Sequence, residues 1–479
     1  MLGLKELTSS IAAGRVSAVE VVQEYATKIK QSKLNTFITP TLAEALAAAK
    51  TVDAQIAQGQ PVGKLAGVPL AVKDVIVTRG VQATAGSKIL AGYVPPYSAT
   101  VAERMTQEGA VVLGKTNCDE FAMGTSGENS AYGATKNPWN TSRVPGGSSS
   151  GSAAAVAAGE CLVALGTDTG GSVRQPASFC GVVGLKPTYG RASRYGLIAM
   201  TASFDCPGPL ARTVEDAAYV MQAIAGYDVH DATSSKKPVP DYVGGLTQPV
   251  KGLRVGVPKE FFAEGLDPSV RTTVETAIAE LTKLGVEVVE VSLPSMAYAL
   301  AAYYVICPSE VSANLSRYDG IRYGAQAEAN TLYELYTKTR GSLLGAEVKR
   351  RIMLGTYVLS AGYYDAYYRT AQAARSAIVQ DFAQAFEKVD VLATPTAPTT
   401  AFALGSKADD PLALYLADVY TVPANIAGVP ALSVPCGFVN KLPVGLQLIG
   451  RAFEEATILR LAHHYEQATS WHTEHPVGF

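Results

Sequence analysis

Pro145-Gly146-Gly147-Ser148-Ser149-Ser150-Gly151-Ser152 opens directly into Ala153-Ala154-Ala155-Val156-Ala157-Ala158. Past a β-like run at 162–165 comes Gly166-Thr167-Asp168-Thr169-Gly170-Gly171-Ser172-Val173-Arg174. A Gly/Ser run is also linker composition. This one enters an alanine-rich stretch of high helix propensity, which makes it a loop at a helix N-terminus. Glycines leave backbone N–H groups open to an anion. Hydroxyls beside such donors suit acyl transfer, with a nucleophile next to a hole for the oxyanion. Upstream, Pro69-Leu70-Ala71-Val72-Lys73-Asp74 ends an apolar run on a lysine, and burial disfavours the charged form of that side chain. A lysine base near neutral pH needs its pKa depressed by roughly 3 units from about 10.4, at a cost of about 4 kcal/mol. The competing reading of Lys73 is an ordinary ion pair with Asp74 or another acid.

The strand–helix alternation extends outward from this block. Short β-like runs fall at 70–72, 110–113, 162–165, 253–257, 286–291, 389–393, 431–434 and 445–449, with helical stretches between several of them. The pattern predicts an α/β fold with a mostly parallel or mixed sheet covered on both faces by helices. Residues 1–60 read as helical. Ser17-Ala18-Val19-Glu20 and Thr41-Leu42-Ala43-Glu44 both fit a capping box opening an apolar-periodic run. The polar, Pro/Gly-rich stretch 230–252 reads as a long surface loop. Nothing after it looks self-sufficient, so the chain is expected to form one domain over 1–479.

The chain has 479 residues, 48% of them hydrophobic, enough for a large core. Its net charge of −2, with acids and bases interspersed, lacks the basic patch of a protein that grips nucleic acid alone. Six cysteines show no CxxC or Cys/His clustering. They read as small buried residues in a reducing compartment, not as disulfides or a zinc site. No signal-peptide pattern opens the chain and no apolar run reaches membrane-spanning length, so it reads as cytoplasmic, or organellar if eukaryotic, without a membrane partner.

Two motif matches fail on context. Gly109-Ala110-Val111-Val112-Leu113-Gly114-Lys115-Thr116 satisfies the P-loop pattern. A P-loop needs a strand before the first glycine, whereas residues 100–108 look helical and the spacer itself looks like a strand. Gly109 reads instead as a helix C-cap. Gly147-Ser148-Ser149-Ser150-Gly151 satisfies the nucleophile-elbow pattern, which needs a preceding strand and a downstream acid and histidine. Residues 137–145 are turn-like. The five histidines, His230, His463, His464, His472 and His475, all lie far from the serine blocks in sequence.

Residues 146–176 resemble the glycine- and serine-rich block of the amidase-signature hydrolases, and the resemblance runs from about Leu65 to the C-terminus. It implies one large domain around a mixed sheet and a Ser–Ser–Lys triad whose middle serine follows a cis peptide bond. Ser172 matches the nucleophile, Ser148 the bridging serine and Lys73 the base. Lys73 precedes Ser148 by 75 residues and Ser172 follows it by 24, the spacing of the family. The resemblance places the oxyanion hole at the N–H groups of Thr169, Gly170, Gly171 and Ser172, with no metal. Arg174 and Asp168 read as supports of the loop.

Three stretches of the C-terminal half narrow the match: 316–324, 347–368 and 417–425. Together they are similar to the branch of the family that serves tRNA-dependent amidotransferases. That branch implies hydrolysis of glutamine and delivery of its ammonia for conversion of Glu-tRNA(Gln) to Gln-tRNA(Gln). It also implies a heterotrimer with two other subunits, and no cofactor in this chain. A partner subunit would bind the tRNA and use ATP and magnesium, in keeping with the near-neutral charge. Glutamine is a zwitterion, and the family implies Arg351 for its carboxylate and Asp418 for its ammonium. Which of Arg350 and Arg351 faces inward stays open, with Arg351 favoured. Ser126 and Tyr303, or Tyr304, are further candidates for lining the pocket. A free-standing amidase acting on a small amide, a non-catalytic scaffold and a P-loop ATPase are the alternatives.

Overall fold

The computed structural model describes residues 2–478. Among them eleven strands join in one sheet. They are β1 (Phe37–Pro40), β2 (Pro69–Lys73), β3 (Val111–Thr116), β4 (Val163–Asp168), β5 (Val183–Lys186), β6 (Cys206–Ala211), β7 (Arg254–Pro258), β8 (Glu287–Val291), β9 (Val391–Pro395), β10 (Ala431–Val439) and β11 (Leu442–Gly450). The order is β1-β3-β2-β4-β6-β5-β10-β11-β9-β7-β8. The sheet is mixed. β3, β2 and β4 run parallel, as do β9, β7 and β8, while the strands between pair antiparallel.

All eight sequence-predicted runs are strands. The other three were not anticipated, each for a physical reason. β1 falls inside the stretch read as helical, so residues 1–60 contain a strand as well as the helices Leu4–Ala12, Ala18–Gln31 and Leu42–Ala57. β5 is four residues long. β6 carries Pro207 and Pro209, which argue against an interior strand. It is tolerated because β5 pairs with β6 only at Val183↔Ala211 and Gly184↔Leu210, and the prolines lie beyond that pairing.

The capping boxes divide in the same way. Ser17 accepts the N–H groups of Val19 and Glu20, and Glu20 answers to the N–H of Ser17, a complete box. Thr41 occupies the N-cap position but makes no cap bond. Its hydroxyl donates to the Val112 carbonyl at 3.2 Å, because strand pairing brings β3 beside it. Gly109 ends the helix Thr100–Gln107 at φ 90°, with its N–H on Thr106 O and that of Ala110 on Met105 O. This is a Schellman closure, and β3 begins directly after it. The P-loop match therefore spans a helix end and a strand. Residues 230–252 hold neither helix nor strand, yet Tyr242 within them is fully buried.

The core consists of one large cluster from Leu4 to Tyr465 and a small one of Val144, Phe179, Ala397 and Ala401. Two helices lie wholly inside it, Ser150–Ala157 and Arg174–Cys180, with every residue buried. The first is small and apolar on all faces and belongs in a core, the second buries Arg174 and Gln175 with its apolar residues, and together they carry the glycine–serine blocks inward. The last residues of β2, β3 and β4 are Lys73, Thr116 and Asp168. Parallel pairing puts all three at one edge of the sheet, where α/β folds gather their ligands. Among the described residues no helix is long and apolar enough to cross a membrane.

Candidate active site

Lys73 leaves β2 into this edge with no exposed surface. Its Nζ lies 2.8 Å from Ser148 Oγ and 2.9 Å from Thr167 Oγ1, and donates to the Thr167 carbonyl at 3.3 Å. Asp74, the partner offered by the competing reading, faces elsewhere. It pairs with buried Lys115 at 3.3 Å and accepts from Thr84. Lys73 thus has no carboxylate against it. Burial pulls its pKa down to about 8, and the nearby thiol and acids Cys118, Asp119, Asp168 and Asp205 limit the fall.

The two serine blocks meet through backbone. The N–H of Ser149 donates to the Ser172 carbonyl at 3.1 Å. The Gly147–Ser148 peptide bond is cis. Gly147 is needed for close approach, since a Cβ there would lie 2.1 Å from Asp119 Oδ2. Asp119 accepts from the N–H groups of Gly127 and Asn129, and burial raises its pKa to about 6. Ser148 is fully buried, whereas Ser172 keeps 7% of its surface. Of the two hydroxyls, Ser172 is the one a ligand can reach. Ser149 is spoken for, its hydroxyl lying 3.2 Å from Thr167 O and 3.3 Å from Thr167 N. The elbow match therefore has neither the preceding strand nor a free serine.

The second block is shaped by its supports. Gly171 sits at φ 136°, a conformation side chains disfavour, and a Cβ there would strike Thr421 Oγ1. The Thr421 hydroxyl donates to Gly170 O at 2.7 Å. Thr169 donates its hydroxyl to Asp205 at 2.7 Å. Among the described residues the N–H groups of Gly170, Gly171 and Ser172 meet no protein acceptor. They form a small nest beside Ser172, the geometry that receives an oxyanion.

Beneath the loop lies a buried ion pair. Arg174 donates from Nε and Nη2 to Asp168 at 3.0 and 2.9 Å. Its remaining donors reach Thr421 O, Gln447 Oε1 and Asn425 Oδ1 at 3.0, 2.6 and 2.6 Å. Burial alone would raise the Asp168 pKa, but Arg174 overrides it and holds the carboxyl at about 2.

A second group stands on helices. The helix Ala346–Val358 turns Arg351 inward, buried, and leaves Arg350 half-buried, which resolves the choice between them. Arg351 Nε donates to Glu347 at 2.8 Å, and its guanidinium lies 5.3 and 5.5 Å from the rings of Tyr304 and Tyr415. Among the described residues its Nη groups reach no acceptor. Asp418 is buried, its carboxylate meets no donor, and burial raises its pKa despite Arg351. Its carbonyl accepts from the Thr421 hydroxyl at 3.1 Å, which joins it to the Gly170 loop. A cation and an anion, each short of a partner beside one loop, fit a ligand bearing both charges.

Tyr303 packs against Gly170, where a Cβ would lie 2.8 Å from its hydroxyl. Tyr304 instead stacks on Tyr415 at 4.0 Å, its buried hydroxyl unpartnered. Ser126 is buried, its N–H 3.0 Å from the Cβ position of Gly147. Thr167, Asp205, Glu347, Tyr415, Thr421, Asn425 and Gln447 were missed from sequence. Only Glu347 carried a usable signal, standing four residues before Arg351 on a helix.

The amidase family profile matches residues 20–459. The A subunit of the glutamyl-tRNA(Gln) amidotransferase of Chloroflexus aggregans is 57% identical over 470 residues, 98% of this chain and 96% of that protein. The crystal structure of the corresponding A subunit from Thermotoga maritima is 42% identical, with a TM-score of 0.78 over 93% of this chain and 90% of that one. The structure of a bacterial aryl acylamidase is only 26% identical, yet its TM-score is 0.88 over 100% and 99%. The backbone is thus common to chains of differing activity, and the identity of side chains separates them.

Arg174→Ala should cost about 3–5 kcal/mol of stability, because it leaves Asp168 buried without its charge partner. The sign with pH follows from the shift. Asp168 is held at about 2 against an ordinary 3.8, so the stabilisation it contributes is present above pH 4 and is lost as pH falls toward 2. In urea unfolding the deficit of the variant should be full at neutral pH and narrow below pH 4. A small or pH-independent deficit would contradict this account of the pair.

Proposed function

Since the chain belongs to the amidase family, we propose that this site hydrolyses glutamine and that the chain is the glutaminase subunit of a tRNA-dependent amidotransferase. The observation that carries the choice of substrate is the pair of open charges beside the Gly170–Ser172 nest, the Nη groups that Arg351 keeps free of its bond to Glu347 and the carboxylate of Asp418. It offers a guanidinium fork to a carboxylate and a carboxylate to an ammonium, which is the α-end of an amino acid. The full-length likeness to glutamyl-tRNA(Gln) amidotransferase A subunits supports the same reading.

The steps are those of the Ser–Ser–Lys relay that the family resemblance implies. Neutral Lys73 takes the Ser148 proton across 2.8 Å, and Ser148 takes that of Ser172. The Ser172 Oγ attacks the side-chain amide carbon of glutamine. The carbonyl oxygen becomes an oxyanion against the N–H groups of residues 169–172. Collapse breaks the C–N bond, the relayed proton returns to nitrogen, and ammonia leaves. A γ-glutamyl ester on Ser172 remains, and water attacking by the same relay releases glutamate. Tyr303 and Ser126 border the pocket and shape it.

Ammonia is a product to be used elsewhere. Two other subunits in a heterotrimer receive it, and one of them binds Glu-tRNA(Gln) and uses ATP and magnesium to activate the glutamyl ester. This chain needs no nucleotide of its own, and Lys115 in the rejected P-loop match is committed to Asp74. The six cysteines are all buried free thiols, in keeping with work in the cytoplasm beside translation.

Ser172→Ala should abolish glutamine hydrolysis. With ammonium salt as donor, the complex carrying it should still amidate Glu-tRNA(Gln). If ammonia fails to rescue, the site does more than release ammonia. A chain that purifies alone and hydrolyses amides without tRNA chemistry would instead be a free-standing amidase.

Lys73→Ala and Lys73→Arg should both be inactive, because arginine stays protonated and cannot accept a proton. With the Lys73 pKa near 8, kcat/KM in the native protein should climb with pH and reach half its plateau near 8, since only the neutral amine works. Substantial activity in Lys73→Arg, or a flat profile from pH 6 to 9, would exclude the base role.

Asp418→Ala and Arg351→Ala should each raise the glutamine requirement roughly tenfold to a hundredfold, from a charged hydrogen bond worth ~1.5–3 kcal/mol. Hydrolysis of butyramide, which lacks both charged α-groups, should change far less. Parallel loss of both substrates would make the two residues structural.

A further inference from the structure

We infer that Glu120 is a positioning residue that places Arg351 from a distance, by capping the N-terminus of the helix that carries it. The inference rests on the reading of Arg351 as a substrate contact.

Glu120 is buried in the short turn Glu120–Ala122, where Phe121 and Ala122 take left-handed φ of 50° and 63°. Neither is glycine, so the turn stands at some conformational cost, and the two adjacent acids at its start face different ways. Asp119 faces the loop of the bridging serine. Its N–H donates to Ser148 O at 3.3 Å and its Oδ2 backs against Gly147. Glu120 faces the other way, and its Oε2 accepts the N–H of Gly345 at 2.8 Å.

Gly345 is the N-cap of Ala346–Val358, and as a glycine it has no side chain with which to cap its own helix. Glu120 does so from 225 residues away in sequence. A carboxylate there satisfies an unpaired N–H and complements the positive end of the helix dipole. The fit is tight, since a Cβ on Gly345 would lie 2.2 Å from Glu120 Oε2. The other carboxylate oxygen accepts the Ser87 hydroxyl, which also sits 3.5 Å from Leu343 O just before the helix. Glu347 and Arg351 follow within the first two turns. Adjacent residues Asp119 and Glu120 therefore tie the catalytic loop and the Arg351 helix to one turn of chain, and the distance between Ser172 and the guanidinium depends on it.

The test is steady-state hydrolysis of glutamine and of butyramide by the full-length chain in the assembly with which it purifies. Glu120→Ala should raise the KM for glutamine roughly fivefold to tenfold, the size expected for losing an N-cap, with butyramide kcat/KM within about twofold of native. Glu120→Gln should stay near native for both, because its amide oxygen still accepts the Gly345 N–H. Gly345→Ala should reproduce the Glu120→Ala split from the other side of the contact, and it carries the test if Glu120→Ala does not fold. Equal loss of both substrates, an unchanged glutamine KM, or Glu120→Gln as damaged as Glu120→Ala would each overturn the inference. Arg351→Ala runs beside them. If it separates the two substrates and Glu120→Ala does not, only the role of Glu120 fails. If Arg351→Ala does not separate them, the substrate reading fails and the inference with it.

Discussion

The Arg174–Asp168 pair is the constraint on which the catalytic edge depends. Two charges removed from water are costly unless the geometry satisfies every remaining donor and acceptor. Here Arg174 uses Nε and both Nη groups, and Asp168 additionally accepts the N–H of Val173 and the amide of Asn425. Satisfaction is bought with long-range order. The end of β4, the helix Arg174–Cys180, the helix Val422–Ala427 and β11 must all be in place before the arginine is paired. Thr421, fixed by that arginine through its carbonyl, turns its hydroxyl to Gly170. The glycines that leave three N–H groups bare could not hold such a nest themselves, so rigidity is supplied from beneath.

The same low-dielectric edge sets the proton chemistry. Four ionisable groups lie close together and burial acts on all of them, but their partners differ. Asp168 has a guanidinium and stays ionised. Asp119 and Asp205 have only N–H and hydroxyl donors, and both are raised to about 6. Lys73 has hydroxyls and a carbonyl and is lowered to about 8. A carboxylate in direct contact would have kept the lysine charged. The sequence places one at the next position, and the fold diverts it, because successive residues at a strand end point to opposite faces. Asp74 is thereby committed to Lys115, and Lys73 is left free to titrate.

This diversion marks the limit of what could be read from the chain alone. Lys73, the Gly146–Ser152 block and the Thr169–Arg174 block are local features, legible as a lysine ending an apolar run and as glycines beside hydroxyls. Eight of the strands were legible as short apolar runs. β6 was not, since two prolines counted against it and only the shortness of β5 excuses them. Asn425, Gln447 and Thr421 were not legible as supports of Arg174, because nothing in a lone Asn, Gln or Thr states that a guanidinium 247 to 273 residues away will reach it. Arg351 could be chosen over Arg350 only once the helix phase was known. Thr41 shows the converse, a correct boundary whose side chain was captured by a neighbouring strand.

The division between strands and helices carries the last step. Lys73, Thr167 and Asp168 end strands of a sheet closed on both sides, and the nest is braced by a buried ion pair, so the chemistry has little room to vary. Arg351, Glu347, Tyr304, Tyr415 and Asp418 stand on helices and short turns that pack on one another rather than in the sheet. Helices can shift by small amounts at modest cost, whereas a strand register can change only by whole residues. On the proposed assignment of the site, substrate choice is lodged in the part of the molecule free to change, and the hydrolytic edge in the part that is not. A backbone shared almost completely with an aryl acylamidase of low sequence identity is what that arrangement produces. On the same assignment, contacts bridging the two parts, the Thr421 hydroxyl at Gly170 and the Asp119–Glu120 turn, set how accurately a bound amide meets Ser172. An error of about an ångström there can cost two orders of magnitude in rate.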